Sequence, residues 1–143
     1  MSDPAVRRLL DRAAIEELKA RYFRFVDTKR WDDLALCFTE DASLAAGGND
    51  ARGREAIIAL VRRFLDDGRS VHQGHMPEIT FDSDDSASGV WAMFDLVERP
   101  GEGVRAGFGH YHETYVRDGE QWRIATLRLE RLRVDHLPQS AWT

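Results

Sequence analysis

Four places in the chain put a polar side chain in step with apolar neighbours, and these are where chemistry could be done. In Val90-Trp91-Ala92-Met93-Phe94-Asp95-Leu96-Val97, alternation sets Asp95 on the face of Trp91, Met93 and Val97, since successive strand side chains point to opposite faces. A carboxylate aimed into an apolar layer is costly unless it is paired or used. Near the C-terminus Arg131 falls in phase with Ala125, Leu127 and Leu129, while Arg128 and Glu130 share the other face with Trp122 and Ile124. Taken singly, Asp95 or Arg131 is accounted for by an ion pair or by a strand-end charge reaching water.

The third place is Ser70-Val71-His72-Gln73-Gly74-His75-Met76-Pro77-Glu78-Ile79. Its two histidines lie three apart, so on a strand they point to opposite faces and only one can serve a given pocket. His110 and His112 form a further pair on one face. Neither pair brings the three or four converging ligands of a zinc site, and no metal is expected. The fourth place is Tyr22, on the apolar stripe of a first helix, with Asp27 at that helix's end. Five residues turn an ideal helix by about 500°, which leaves the two side chains roughly 140° apart. On spacing alone Tyr22 is a core aromatic and Asp27 a helix-end residue or the cap of a helix starting at Trp31. Cys37, the one cysteine, sits between Leu36 and Phe38 as a small hydrophobe, not as a nucleophile.

The elements that would position these residues fall into two halves. Ser2 or Asp3 before Pro4 signals a helix start. Val6, Leu9, Leu10, Ala13, Ala14, Leu18, Tyr22, Phe25 and Val26 then recur at steps of three and four to about Thr28, one buried helix face, with Asp11 the point where it could break. Trp31, Leu34, Ala35 and Phe38 predict a short second helix, Ser43 to Ala46 a brief strand, and Gly47-Gly48-Asn49-Asp50 a turn. Ile57, Leu60, Val61, Phe64 and Leu65 predict a third helix that stops at Asp66-Asp67-Gly68. From Val71 on, β-branched and aromatic residues between short turns predict four strands, near 71–81, 87–99, 105–117 and 121–134. Connections this short join antiparallel neighbours. The fold class expected is α+β: three N-terminal helices packed on a strongly curved, mainly antiparallel sheet, with a pocket between them.

The 143 residues fit one domain spanning 1–143, large enough to enclose a core and a pocket. The net charge of −5 and the absence of a basic run argue against nucleic acid. No apolar run reaches the roughly 18 residues of a membrane span. The expectation is a soluble cytoplasmic protein that binds a small molecule.

Taken together, Tyr22-Phe23-Arg24-Phe25-Val26-Asp27 with Trp31-Asp32, the Ser70 to Ile79 segment, the Trp91 to Asp95 strand and Gly119-Glu120-Gln121-Trp122-Arg123-Ile124 resemble the SnoaL-like branch of the nuclear-transport-factor-2-like (NTF2-like) superfamily. The likeness is closest to the bile-acid dehydratases, then to scytalone dehydratase and the hexachlorocyclohexane dehydrochlorinases. It covers nearly the whole chain and implies a cystatin-like cone around an open-mouthed cavity. It also implies a cofactor-independent lyase acting on an apolar cyclic, polyketide-like or steroid-like hydroxy-carbonyl compound. Ketosteroid-isomerase-like or cyclase chemistry, and plain small-molecule binding, are the alternatives the same fold allows. By resemblance the catalytic set is Tyr22, Asp27, His72, Asp95 and Arg131, with His72 as base and Asp27 holding its other nitrogen. Trp31, Trp91, Phe94, Phe108 and His110 are expected to line the substrate cavity. The short glycine-rich stretch from Ala45 to Arg52 departs from the relatives, as does the chain's course after Val134. No cofactor is called for. Trp122, Ile124 and Leu132, read as the sheet's outer face, predict a homodimer or homotrimer.

Overall fold

The computed structural model describes residues 3–138. A single helix α1 (Pro4–Asp27) opens the chain, its start fixed by the Asp3 carboxylate, which accepts from the Ala5 N–H at 2.7 Å. It runs without a break through Asp11. Ile15, Leu18, Tyr22, Phe25 and Val26 are buried, whereas Val6, Leu9 and Leu10 of the predicted stripe stay exposed. The second helix, α2 (Trp31–Ala35), is a single turn, and α3 spans Arg54–Leu65.

Six strands follow and interleave: β1 (Phe38–Ala46), β2 (Asn49–Arg52), β3 (Arg69–Phe81), β4 (Ser86–Arg99), β5 (Gly103–Asp118) and β6 (Gln121–Leu137). They form one curved sheet in the order β2-β1-β6-β5-β4-β3. The four-strand meander β3 to β6 matches the α+β reading. Two features differ from it. The brief strand expected at Ser43 begins at Phe38, and the turn at Gly47-Gly48 leads into β2, making a hairpin. That hairpin joins the sheet through a parallel β1–β6 pairing, so the sheet is mixed.

Bulges set which side chains face inward. In β6, Tyr115 pairs with Ile124 but Thr114 with Thr126, leaving Ala125 as an extra residue. The extra residue reverses the alternation, so Trp122 and Ile124 share the inner face with Leu127 and are buried at 4% and 0% exposure. The outer apolar face predicted from Trp122 and Ile124 is therefore corrected: of the three residues named for it, only Leu132 is exposed. A second bulge opposes Met76 and Pro77 to Trp91 in β3. The core lies between α1 and the inner sheet face, with Tyr22, Phe38, Trp91, Tyr111, Tyr115 and Trp122 at its centre.

Candidate active site

The end of α1 meets the start of β3 where Asp27 reaches His72. Asp27 Oδ1 lies 2.7 Å from His72 Nδ1 and accepts from the Ser70 hydroxyl at 2.9 Å, while Oδ2 accepts from the His72 backbone N–H at 2.7 Å. A carboxylate facing Nδ1 makes that nitrogen the donor and leaves the Nε2 lone pair free. His72 is half-buried and faces inward, and Nε2 is 3.8 Å from Asp95 Oδ2. His75, on the opposite face of the same strand, is exposed.

Asp95 is 1% exposed and accepts from Arg131 through both oxygens, each at 2.8 Å. This is the bidentate geometry of a carboxylate–guanidinium pair. The two residues come from β4 and β6 and meet across β5. Gly107, opposite Asp95 in the register, permits this: a Cβ there would collide with the Arg131 guanidinium and the Asp95 carboxylate. The result is one line of groups, Asp27–His72–Asp95–Arg131.

Tyr22, His72, Asp95, Tyr111 and Arg131 line a cavity of about 180 Å³ whose other walls are largely apolar, among them Val26, Leu44, Leu60, Val61 and Phe64. Asp27 stands behind His72. The 140° that separates Tyr22 and Asp27 on an ideal helix is bridged by His72, which Asp27 holds from its own side. Burial, with a lesser push from the Glu113 charge, raises the Tyr22 phenol well above its usual range, opposed by a hydrogen bond with Tyr111. Burial raises Tyr111 in the same sense. Both phenols are thus neutral donors. Burial also pushes the Cys37 thiol up to about 11, which fits a packing role.

The five residues expected to line the cavity are not brought to it. Trp31 donates its indole N–H to Asp66 at 3.0 Å. Trp91 faces inward, but its indole N–H is taken by the Tyr115 hydroxyl at 2.8 Å within the core. Phe94 and Phe108 are cross-strand partners, ring centroids 5.1 Å apart, on the outer face. His110 stands on that face beside His112, at 6.4 Å between ring centroids. Parity decides this: Phe94 is one residue from inward Asp95, and His110 one residue from inward Tyr111.

Tyr111 and the pair Lys19–Glu113 are the polar groups that the sequence reading did not place. Lys19 Nζ lies 3.0 Å from Glu113 Oε2 with both side chains fully buried. It also lies 3.8 Å from the Tyr22 ring centroid and 3.7 Å from that of Tyr111. Tyr115 donates to the other Glu113 oxygen at 3.0 Å. Burial lowers the Lys19 pKa, opposed by Glu113. The signal was present: Lys19 is in step with Ile15, Tyr22 and Val26, and Glu113 with Tyr111 and Tyr115.

Residues 7–128 match the SnoaL-like domain family. The chain is 27% identical over 135 residues to the probable cyclase FGR4 of Gibberella zeae, covering 84% of this chain and 90% of that one. A candidate scytalone dehydratase from Novosphingobium aromaticivorans superposes with a TM-score of 0.84 at 22% identity, over 93% of this chain and 91% of the other. The hexachlorocyclohexane dehydrochlorinase LinA-type3 from Novosphingobium barchaimii gives 0.83 at 23% identity, over 93% and 94%. At these identities the two structures speak for the fold alone.

Proposed function

The chain belongs to the SnoaL-like domain family of the NTF2-like superfamily, and on that premise we propose that it is a cofactor-independent hydro-lyase acting on an apolar cyclic, polyketide-like or steroid-like hydroxy-carbonyl compound. The observation that carries this reading is His72, oriented by Asp27 through Nδ1 and facing a largely apolar cavity.

His72 Nε2 takes the proton from the carbon next to the substrate carbonyl, and the electron pair moves onto the carbonyl oxygen. Tyr22 donates to that oxygen as its charge develops, its own oxygen accepting from Tyr111. The imidazolium is held between Asp27 at 2.7 Å and Asp95 at 3.8 Å, with Arg131 balancing the second carboxylate. When the enolate collapses, the carbon–oxygen bond to the hydroxyl breaks, and the imidazolium gives its proton to the leaving oxygen as water departs. His72 returns to its starting state. Base and acid are one residue, and such general acid–base help is worth about 10²–10⁴ in rate. A carboxylate base of the ketosteroid-isomerase kind fits less well, because both oxygens of Asp27 and of Asp95 already accept hydrogen bonds.

The cyclase relative favours one second reading: the same proton abstraction, with the carbanion closing a ring in place of expelling water. Product mass separates the two, since dehydration loses one water and cyclisation by addition loses nothing.

The test uses a β-hydroxy ketone on an apolar ring, followed by the ultraviolet absorbance of the conjugated product. His72→Ala should abolish turnover with the fold intact, and Asp27→Asn should be nearly as damaging because it favours the wrong tautomer. Near-normal activity in His72→Ala would remove this mechanism. The working enzyme is taken to be a homodimer or homotrimer through the outer face that carries Phe94, Phe108 and Leu132, and sedimentation at the 16.3 kDa of one chain would count against that.

A further inference from the structure

Of the charged side chains on the cavity wall, His72, Asp95 and Arg131 are tied into the line of groups described above. Arg105 is not. It is exposed at the rim, on the inner side of β5, opposite Val97 of β4 and His136 of β6. Among the described residues it makes no hydrogen bond or ion pair. Its neighbour Arg99 is taken by Glu102 at 3.1 Å. The Arg131 guanidinium is spent on both oxygens of Asp95, so it has little left for an incoming anion. In a chain of net charge −5, an uncompensated guanidinium beside a largely apolar hollow is a local reversal of sign, and such reversals concentrate oppositely charged ligands.

We propose that Arg105 is a substrate-binding residue that selects acidic substrates, an apolar ring system carrying a carboxylate at the end away from the reacting carbon. The proposal rests on the cavity being the working site and adds the class of compound it admits. The geometry supplies the spacing. Asp95 faces Gly107 and Val97 faces Arg105, so Arg105 is rooted two residues, about 7 Å, nearer the mouth than the acid–base centre. A planar carboxylate suits the guanidinium fork, which can grip both oxygens. The apolar body would lie between, against Val97 and Phe64.

The test is binding, measured by isothermal titration calorimetry with 2-naphthoate and with 2-acetylnaphthalene, a neutral probe of similar shape. The unmodified protein should bind naphthoate about tenfold more tightly, the size expected for a hydrogen bond to a charged group. Arg105→Met should erase that preference while leaving the neutral probe unaffected, Arg105→Lys should keep part of it, and Arg99→Met should keep all of it. Raising the salt should narrow the gap. Equal affinity for the two probes, a preference that survives Arg105→Met, an equal loss in Arg99→Met, or failure of both probes to bind would each overturn the proposal. Because no turnover is measured, a loss here leaves the dehydration test standing. An active His72→Ala variant would equally leave the naphthoate preference in place.

Discussion

Two groups of buried charge flank the same pair of tyrosines, and they are built differently. Lys19 and Glu113 are sealed, with both side chains at 0% exposure and with Tyr115 and Trp91 continuing the hydrogen bonding inward. His72, Asp95 and Arg131 instead border the cavity, with Asp27 behind His72, and among the described residues His72 Nε2 has no partner nearer than Asp95 at 3.8 Å. A satisfied ion pair away from solvent has no free valence for a ligand, whereas a line of groups with one vacant acceptor can take up a proton. The contrast teaches that burial and charge together do not mark an active site. What sets the proposed site apart is a ring nitrogen, Nε2 of His72, left open towards the cavity.

The comparison can be broken most sharply at Glu113. Glu113→Ala strands the Lys19 ammonium in the core and should cost about 3–5 kcal/mol, read as a lower urea midpoint. His72→Ala should cost less than about 1.5 kcal/mol of unfolding free energy by the same titration. Similar losses from both would mean that the His72 line is structural as well.

Tyr22 borders both groups and comes next. Tyr22→Phe keeps the ring under the Lys19 ammonium and removes only the hydroxyl, so turnover should fall about 10²-fold with stability nearly unchanged. Full activity would take Tyr22 out of the chemistry. Replacing the sealed pair together, Lys19→Met with Glu113→Leu, should then recover at least half of what Glu113→Ala loses, because neither charge is left unpaired. A double variant as unstable as the single one would show that the pair's value lies in shape.

The smallest effect is expected at a third buried carboxylate. Burial would raise the pKa of Asp11, but hydrogen bonds from Arg117 at 2.7 Å and Trp122 at 3.1 Å bring it below its ordinary 3.8. A carboxyl group held lower in the folded chain adds stability above about pH 4 and loses it as pH falls through the folded value. The stability difference between the unmodified protein and Asp11→Asn should therefore shrink between pH 5 and pH 2. A difference independent of pH would refute the assignment.

How far the sequence could be read depended on whether a bulge intervened. Asp95 was placed correctly because its alternation with Trp91, Met93 and Val97 is local and unbroken. Trp122 and Ile124 were assigned to the wrong face because the count from Arg131 crossed the extra residue at Ala125, which no residue type betrays. β1 was seen only in part: its first half, Phe38-Thr39-Glu40-Asp41, does not alternate in burial, and its partner lies at the far end of the chain. Phe94 and Phe108 have the size and apolarity of cavity residues, but parity along β4 and β5 sends both outward. The same parity test, applied to α1 and β5, would have found Lys19 and Glu113.

The parallel pairing of β1 with β6, with Phe38 aligned to Ile124, also shapes how the molecule comes into being. It closes a loop of more than half the chain, and contacts that distant form late and slowly. On a ribosome, the β1–β2 hairpin emerges long before the strand it pairs with, so the edge of β1 waits unpaired while β3 to β5 are made. That final strand also carries Arg131. Completion of the sheet and neutralisation of Asp95 are thereby one event, and a nascent chain halted before β6 would have neither a closed sheet nor a balanced charge at its centre.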